Sequence, residues 1–567
     1  MSSNQNTNHP KGLYILFSTE MWERFNYYGM RAILVLFMTK ALMFDKTLAS
    51  QLYGSYTSLI YLTPLIGGFM ADRYWGNKKS IIAGGLTMAL GEFILFFCAS
   101  VYDTNSSLST FLFFSGLGFM IAGNGFFKPN ISSMVGQLYP AGDRRIDPAY
   151  TIFYMGINVG GALGPFLCGA FGDTGNPADF KWAFLVAGIG MLLSVLVQRI
   201  FQEKYLVNHE GNPIGEVPEG TKAALLNPVL MTVGLGLFAS LMISLLYIDA
   251  RIFSFLFYLL IGSLLLILFV IFSDKSLSVI DKKKVGVIFI VSFFVVFFWS
   301  AFEQAGASLT FFADEQTDRT LGWSIPVWTI YIASAGLLFF IFKLYHRAKN
   351  NLSAQDVLLR NVVYLLLLLL TVGIFYLNFN ILAQGAPSLL FDEVPASFFQ
   401  SLNSTYVVVF APVFAWLWIK LGKHEPSSPT KMAIGLFLLA LGYLWISVGV
   451  KNIQPGMKVT MIWLAGLYML HTWGELCLSP IGLSLVNKLA PLKLASLLMA
   501  VWFLASAFAN KLAGQLSALY PENKSTSFLG FEMHNMYDFF MLFVILSGIA
   551  SLILFFLTKW LQKMMNS

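Results

Sequence analysis

The stretch EMWERFNYYGMR, from Glu20 to Arg31, decides the fold class because it places charges inside an apolar segment. At about 100° per residue, positions spaced i, i+3, i+4, i+7, i+8 and i+11 share one helix face, in a strip about 16 Å long. The side chains with this spacing are Glu20, Glu23, Arg24, Tyr27, Tyr28 and Arg31. A charge in mid-membrane costs about 2.5–3.5 kcal/mol on insertion scales, so it persists where it is paired or faces water. The stretch therefore predicts one wall of a water-lined site.

The composition of the chain is that of a membrane protein. Its 567 residues are 57% hydrophobic and 11% charged, which lies outside the range of soluble domains. Apolar runs recur along the chain, and each can cross a hydrocarbon core of about 30 Å as a helix. We predict an all-α polytopic membrane protein with about sixteen spans. These spans are placed at 13–41, 50–71, 80–101, 108–138, 149–171, 182–201, 227–247, 252–273, 285–312, 325–345, 361–383, 398–420, 432–450, 459–487, 495–519 and 536–561.

The loop charges predict the topology. The net charge is +7, but the basic residues lie in alternate short loops, as at Lys78 and Lys79, whereas loops on the other side are often acidic, as at 313–315. This pattern follows the positive-inside rule, so we expect a multi-pass cell-membrane protein with both termini in the cytoplasm and no nucleic-acid partner. The charges in the first span do not fit a cleaved signal peptide. The cysteines, which indicate neither a disulfide nor a metal site, are Cys98, Cys168 and Cys477.

The domain organisation is predicted from one polar linker and a weak repeat. Gln202 to Asn227 is rich in Gly, Pro and Glu and follows six spans. PLIGGFMADRYWG at Pro64 to Gly76 and PVFAWLWIKLG at Pro412 to Gly422 each end a span before a basic loop. We therefore predict two six-helix bundles with two inserted hairpins. The predicted units are 1–202, a linker with a helix pair at 203–283, and 284–567 with an apolar hairpin near 325–383.

Further polar side chains fall inside other predicted spans, namely Lys128, Asn158, Glu303 and Glu475. Together with the first span they make four carboxylates against three cations, so one added proton would neutralise the set. A low dielectric favours that neutral state. Cations and carboxylates with aromatic residues between them suit a zwitterion of variable side chain. Those aromatic residues are Tyr27, Tyr28, Tyr61, Trp299 and Trp502.

The first-span string resembles the ExxERFxYYG signature of the proton-dependent oligopeptide transporter family, which belongs to the major facilitator superfamily. Three further stretches resemble family motifs in the same order: GGFMADRYWGNKKS at Gly67 to Ser80, FYMGINVGG at Phe153 to Gly161, and GELCLSPIGLS at Gly474 to Ser484. Phe399 to Asn403, followed by Ala411 and Pro412, is similar to the family's eighth core helix. The resemblance implies a bacterial-type transporter that imports di- and tripeptides, and peptide-like drugs, together with protons and without another cofactor.

The resemblance also implies roles for individual residues. Glu20, Glu23, Arg24 and Lys128 would form the proton-coupling network. Arg31 and Glu303 would form a gating ion pair, and Asp72 and Arg73 would belong to a cytoplasmic locking loop. Lys128 and Arg31 would face the peptide carboxylate. The remaining implied substrate-binding residues are Tyr27, Tyr28, Tyr61, Asn158, Trp299, Glu303, Asn403, Glu475 and Trp502. No histidine occurs at 53–57, where animal members have one, so proton coupling is expected to rest on carboxylates.

Other classes of protein remain as alternatives. A carrier for nitrate, a sugar, an amino acid or a drug would share the fold, but nitrate would not need paired Glu residues facing Arg24. An intramembrane enzyme is disfavoured because no HExxH motif or nucleophile elbow occurs. A channel is disfavoured because there is no repeated filter segment and no ring of like charge.

Overall fold

The computed structural model describes residues 8–140, 142–221, 227–252, 255–273, 277–351, 357–383, 385, 387–453, 456–491, 494–522 and 525–565. Most of them are helical, which confirms the predicted all-α fold class. The helices are α1 Lys11–Lys40, α2 Lys46–Met70, α3 Gly76–Val101, α4 Ser106–Gln137, α5 Ile146–Gly172, α6 Phe180–Tyr205, α7 Pro228–Arg251, α8 Phe255–Ser273, α9 Val279–Phe302, α10 Ser308–Glu315, α11 Val327–Asn351, α12 Val357–Ala383, α13 Phe399–Leu421, α14 Ser428–Val450, α15 Met461–Leu489, α16 Ala495–Ser517 and α17 Met536–Met565. Thirteen segments of the described chain are long and apolar enough to cross a membrane, and one of them, Lys46–Val101, contains both α2 and α3.

Six short strands form three two-stranded sheets in the loops. They are β1 Thr317–Asp318, β2 Thr320–Pro326, β3 Ser388–Glu393, β4 Val459–Thr460, β5 Thr526–Phe528 and β6 Phe531–Met533. Strands β1 and β4 are parallel, whereas β2–β3 and β5–β6 are antiparallel pairs. The helices alternate in direction, so these strands lie at the same end as the loop 41–45 between α1 and α2. We call this the first-loop end.

Helices α1 to α6 pack against one another and form the N-terminal bundle. Glycines allow their backbones to approach closely. A Cβ atom added at Gly160 of α5 would lie 2.2 Å from the Met21 carbonyl oxygen of α1. One added at Gly84 of α3 would lie 2.6 Å from the Gly123 carbonyl oxygen of α4. Small residues at such crossings are the usual basis of helix packing in a bilayer, where lipid removes the hydrophobic driving force between helices.

Helices α9 and α13 to α17 form the C-terminal bundle. The predicted span 285–312 is confirmed as part of one apolar segment, Val279–Glu315, but its helix is interrupted: α9 ends at Phe302, a 3-10 turn covers Glu303–Gly306, and α10 begins at Ser308. At this break the chain packs closely against α2. A Cβ atom added at Gly306 would lie 1.7 Å from the Tyr53 hydroxyl oxygen, so the backbone passes the ring where only glycine fits.

The two inserted hairpins occupy different places. Helix α7 packs on α4, and α8 packs on α16, where the ring centroids of Phe257 and Phe508 are 5.5 Å apart. Helices α11 and α12 start and end on the β2–β3 ribbon of the C-terminal bundle but pack on α6 of the N-terminal bundle. There the Trp182 and Tyr376 rings are 5.9 Å apart. Beside this contact, a cavity of about 710 Å³ is lined by residues of the hairpin and of α1, α5 and α6.

Candidate functional site

Apart from Asp72 and Arg73, the predicted site residues lie along the boundary between the two bundles. Those of the N-terminal bundle belong to α1, α2, α4 and α5, and those of the C-terminal bundle belong to α9, α13, α15 and α16. When the six helices of each bundle are counted in chain order, these are the first, second, fourth and fifth helices of each bundle. Both bundles thus contribute equivalent helices to one shared site.

The first cluster is centred on Arg24 of α1. Its Nε lies 3.0 Å from Glu20 Oε1 and 2.6 Å from Glu23 Oε2, and its Nη2 donates to Glu23 Oε1 at 3.0 Å. The Asn124 amide of α4 also donates to Glu23 Oε1, at 3.0 Å. All four side chains are buried. Two carboxylates therefore share one guanidinium, and the cluster has one negative charge in excess when both are ionised.

Lys128 lies one turn beyond Asn124 on α4 and is half-buried. Its Nζ lies 4.7 Å from the centroid of the Tyr61 ring, which is a cation–π distance. The described residues provide no ion pair for this ammonium group. It is therefore a cation beside the site that has an aromatic partner and remains able to bind an anionic group.

The second cluster joins the two bundles. Arg31 Nη1 of α1 lies 2.9 Å from Glu303 Oε2, at the break that follows α9. The two side chains are 10% and 6% exposed, so this ion pair is largely desolvated. The Arg31 guanidinium carbon also lies 5.1 Å from the centre of the Tyr28 ring, whose own neighbour is the Tyr27 ring at 5.2 Å. The pair thus forms a direct charged link across the boundary.

The third cluster is centred on Glu475 of α15. Asn403 of α13 donates to Glu475 Oε2 at 2.9 Å and to Thr472 Oγ1 at 3.1 Å. Tyr154 of α5, in the other bundle, interacts electrostatically with the same carboxyl. Asn158 is one turn away and donates to the Tyr154 backbone oxygen of the same helix at 2.9 Å. Among the described residues no cation pairs with Glu475.

The remaining predicted residues are two tryptophans of the C-terminal bundle and two charged residues on a loop away from the site. Trp299 packs on Phe298 and Phe302 with ring centroids 5.2 and 5.1 Å apart, and Trp502 is buried on α16. Asp72 and Arg73 are exposed on the turn between α2 and α3, at the opposite end from the first-loop end. The structure therefore brings the predicted coupling and binding residues to one boundary and leaves these two outside it.

Polar contacts link the bundles at the first-loop end. Lys40 pairs with Asp314 at 2.7 Å, and Lys46 pairs with Glu315 at 2.7 Å and with Glu522 at 3.1 Å. Helices α2 and α16 also touch: a Cβ atom added at Gly54 would lie 2.7 Å from the Gly514 Cα. The boundary is closed at this end.

Sequence reasoning missed two buried groups. Asp249 of α7 pairs with Lys511 of α16, and both hydrogen-bond to the Ser55 hydroxyl of α2. Glu92 of α3 is also fully buried. The available signal was a charged residue inside an apolar run, since Lys511 and Glu92 lie in the predicted spans 495–519 and 80–101.

Two helical bundles with buried charges and aromatic walls between them define a membrane transporter. The profile of the POT family (PTR2) matches residues 78–355 and 388–530, so the chain belongs to the POT family and is a transporter rather than an enzyme. The residues between the two matched ranges, 356–387, contain the whole of α12.

Several relatives align over nearly the whole chain. An uncharacterized transporter, YclF of Bacillus subtilis, is 30% identical over 92% of this chain and 90% of its own length. The peptide transporter YePEPT of Yersinia enterocolitica is 31% identical over 89% and 87%. A di-/tripeptide transporter of Lactococcus lactis is 27% identical over 98% and 97%.

Solved structures agree in fold. A POT peptide transporter in complex with sulfate is 28% identical, with a TM-score of 0.72 over 100% of this chain and 97% of that one. A POT family transporter in complex with a thioalcohol-conjugated peptide is 26% identical, with a TM-score of 0.71 over 98% of both.

Proposed function

We propose that this chain is a secondary active symporter that imports di- and tripeptides, and peptide-like drugs, with protons by alternating access. The names of its relatives support the cargo, since two of them are peptide or di-/tripeptide transporters and a solved neighbour holds a conjugated peptide. The chain would work in the cell membrane with both termini in the cytoplasm.

The observation that carries the proton coupling is the sharing of Arg24 by Glu20 and Glu23. One guanidinium neutralises one carboxylate, so the buried cluster holds an excess negative charge unless a proton is added. In a low-dielectric interior that excess charge is costly, which favours uptake of one proton by the cluster. Lys128, one turn from Asn124, would be attracted by the excess negative charge of this cluster.

The positions of two charged side chains that have no ion-pair partner in the described part of the chain support a peptide as the transported substrate. Lys128 in the N-terminal bundle has no carboxylate partner among the described residues, and Glu475 in the C-terminal bundle has no cationic one. The carboxylate of a bound peptide would lie near Lys128 and Arg31, and the ammonium group of the same peptide would lie near Glu475 and Asn403. The aromatic walls would accept different side chains, because ring faces give contact area without selecting one shape.

The closed first-loop end supports alternating access. Ion pairs such as Arg31–Glu303 and Lys40–Asp314 hold the bundles together there, so a second state requires them to separate. Asp72 and Arg73 would then stabilise that second state from the opposite end. The exchange of one set of cross-bundle contacts for another is a common basis of two-state transport.

The deciding experiment is uptake of labelled dialanine into proteoliposomes under an inward acid gradient. We expect accumulation that collapses with a protonophore, competition by excess unlabelled tripeptide, and recovery of the dipeptide intact. Empty liposomes provide the background, and nitrate at the same concentration provides a competitor of the wrong chemistry. Uptake that ignores both the gradient and the tripeptide would overturn the proposal.

A further inference from the structure

Glu92, in the middle of α3, is the most isolated acidic group in the N-terminal bundle. Its side chain is fully buried, and no cation among the described residues pairs with it. An ionised carboxylate without a counter-charge is one of the most costly groups to bury, particularly in a bilayer. The chain must therefore neutralise Glu92 by some means other than an ion pair.

Its polar partner is Asn26 of α1. The Asn26 amide nitrogen donates to Glu92 Oε1 at 2.8 Å and, with its second hydrogen, to the Ala187 carbonyl oxygen of α6 at 3.1 Å. The other oxygen of each group, Glu92 Oε2 and Asn26 Oδ1, is buried without a partner. Both are acceptors when the carboxylate is ionised, so neither can satisfy the other.

A single proton resolves both deficits. Placed on Glu92 Oε2, it converts that oxygen into a donor toward Asn26 Oδ1, while Oε1 keeps the amide hydrogen bond. We propose that Glu92 is held as a neutral carboxylic acid in a cyclic acid–amide pair with Asn26, and that this pair positions α1. Glu92 is thus a proton site separate from the Arg24 cluster.

The groups around Glu92 are all compatible with a neutral acid. Among the described residues, the titratable groups that interact electrostatically with Glu92 are the Tyr56 phenol of α2 and the Cys168 thiol of α5, and both are buried. Helix α6 faces it with Gly188, where an added Cβ would lie 3.2 Å from the Glu92 Cβ. Helix α4 meets this part of α3 at Gly116. None of these groups supplies a positive charge.

The pair acts on the site through the rotation of α1. Asn26 occupies a variable position of the ExxERFxYYG pattern, and its hydrogen bonds to α3 and α6 hold a face of α1 that lies beside the charged stripe, next to Glu23. Helices α1, α3 and α6 belong to one bundle, so the contact persists when the bundles move. The Glu92 proton therefore stays in place during transport, in contrast to the proton proposed for the Arg24 cluster.

The test compares Glu92→Gln with Glu92→Met in the full-length protein. Glutamine keeps both hydrogen bonds, as an amide–amide pair, so uptake should stay within about twofold of the wild type. Methionine leaves the Asn26 amide half unpaired, so we expect gradient-driven uptake and counterflow to fall together and the unfolding midpoint to drop by about 2 °C or more. Equal loss in both assays is the mark of a positioning residue.

Infrared spectroscopy supplies a readout independent of transport. The wild-type minus Glu92→Gln difference spectrum should contain the carbonyl stretch of a protonated carboxyl at neutral pH. Absence of that band, failure of Glu92→Gln to fold, or loss of gradient-driven uptake with counterflow intact would each overturn the proposal. The inference rests on the proposed function only through the uptake assays; if the wild type moves no peptide, the infrared band still decides it.

Discussion

Glu23 of α1 and Glu92 of α3 are both completely buried in the N-terminal bundle, yet their surroundings differ in kind. Glu23 contacts the Arg24 guanidinium and faces the boundary between the bundles, whereas Glu92 contacts one amide and faces the interior of its own bundle. Charge compensation by a cation leaves the proton affinity of Glu23 adjustable by substrate and neighbours. Neutralisation by a fixed proton gives Glu92 a constant state. Two equally buried carboxyl groups are thus expected to behave differently: the protonation state of Glu23 changes during transport, and that of Glu92 does not.

The largest effect is expected from Arg24→Met, which leaves Glu20 and Glu23 without their shared cation. Removing one partner of a buried ion pair costs about 3–5 kcal/mol, so we predict loss of both uptake and counterflow together with lower thermal stability. Arg24→Lys is the matched control, because it keeps the charge but loses the fork that reaches both carboxylates. Normal counterflow in Arg24→Met would contradict the shared-cation interpretation.

Glu23→Gln should have the next largest effect, because it removes the excess negative charge and keeps the shape. We expect gradient-driven uptake to disappear and peptide counterflow to remain near wild type. Reconstituted protein assayed side by side in the two modes measures this directly. Equal loss of both activities would assign Glu23 the same structural role as Glu92 and would remove the contrast.

The buried Asp249–Lys511 ion pair offers a further comparison with Glu23, which has a cation partner, and Glu92, which has an amide partner. In Lys511→Met, Asp249 would remain buried without its cation, and we expect a loss of about 3–5 kcal/mol in stability. The double variant Asp249→Asn with Lys511→Met removes both charges and should recover most of the loss. Thermal unfolding in detergent measures both. A double variant as unstable as the single one would show that Asp249 does not need a counter-charge.

The smallest effect is expected from Ser55→Ala, which removes one neutral hydroxyl from the Asp249–Lys511 pair. Since the ion pair itself remains, the cost should be about 2 kcal/mol, typical of the two hydrogen bonds that the hydroxyl makes to Asp249 and Lys511. The unfolding midpoint should shift by a few degrees at most, with uptake unchanged. A loss as large as that of Lys511→Met would show that the hydroxyl, rather than the charge, holds the three helices together.

The site was predictable where the signal was local. The charged stripe of α1 follows from spacing alone, and the Arg31–Glu303 pair follows from the resemblance to a family. Glu92 and Lys511 were not predicted to matter, because their partners are 66 and 262 residues away in sequence. Only the folded structure, in which α6 packs on both α1 and α3 and α2 packs on both α7 and α16, brings such residues together.

The fold was predictable to a similar degree. Long apolar runs gave the helices, including the second hairpin, because length and hydropathy are local properties. The break at Glu303–Gly306 was missed, since it lies within one long apolar segment and the Tyr53 ring that packs against Gly306 lies on α2, far away in sequence. The contact of α11 and α12 with α6 has no periodicity that could reveal it.

Because the β2–β3 ribbon holds the hairpin formed by α11 and α12, the position of this hairpin relative to α6 should report the relative motion of the two bundles. The ribbon fixes the hairpin to the C-terminal bundle, and the Val327 amide donates to the Pro387 carbonyl oxygen at 3.1 Å, so the chain departs and returns at one point. The far surface of the hairpin rests on α6 of the other bundle through Trp182 and Tyr376. Any rotation of one bundle against the other must alter that separation or twist the ribbon. A pair of spectroscopic labels on α6 and α12 would therefore record each transport cycle from the lipid side, without touching the site.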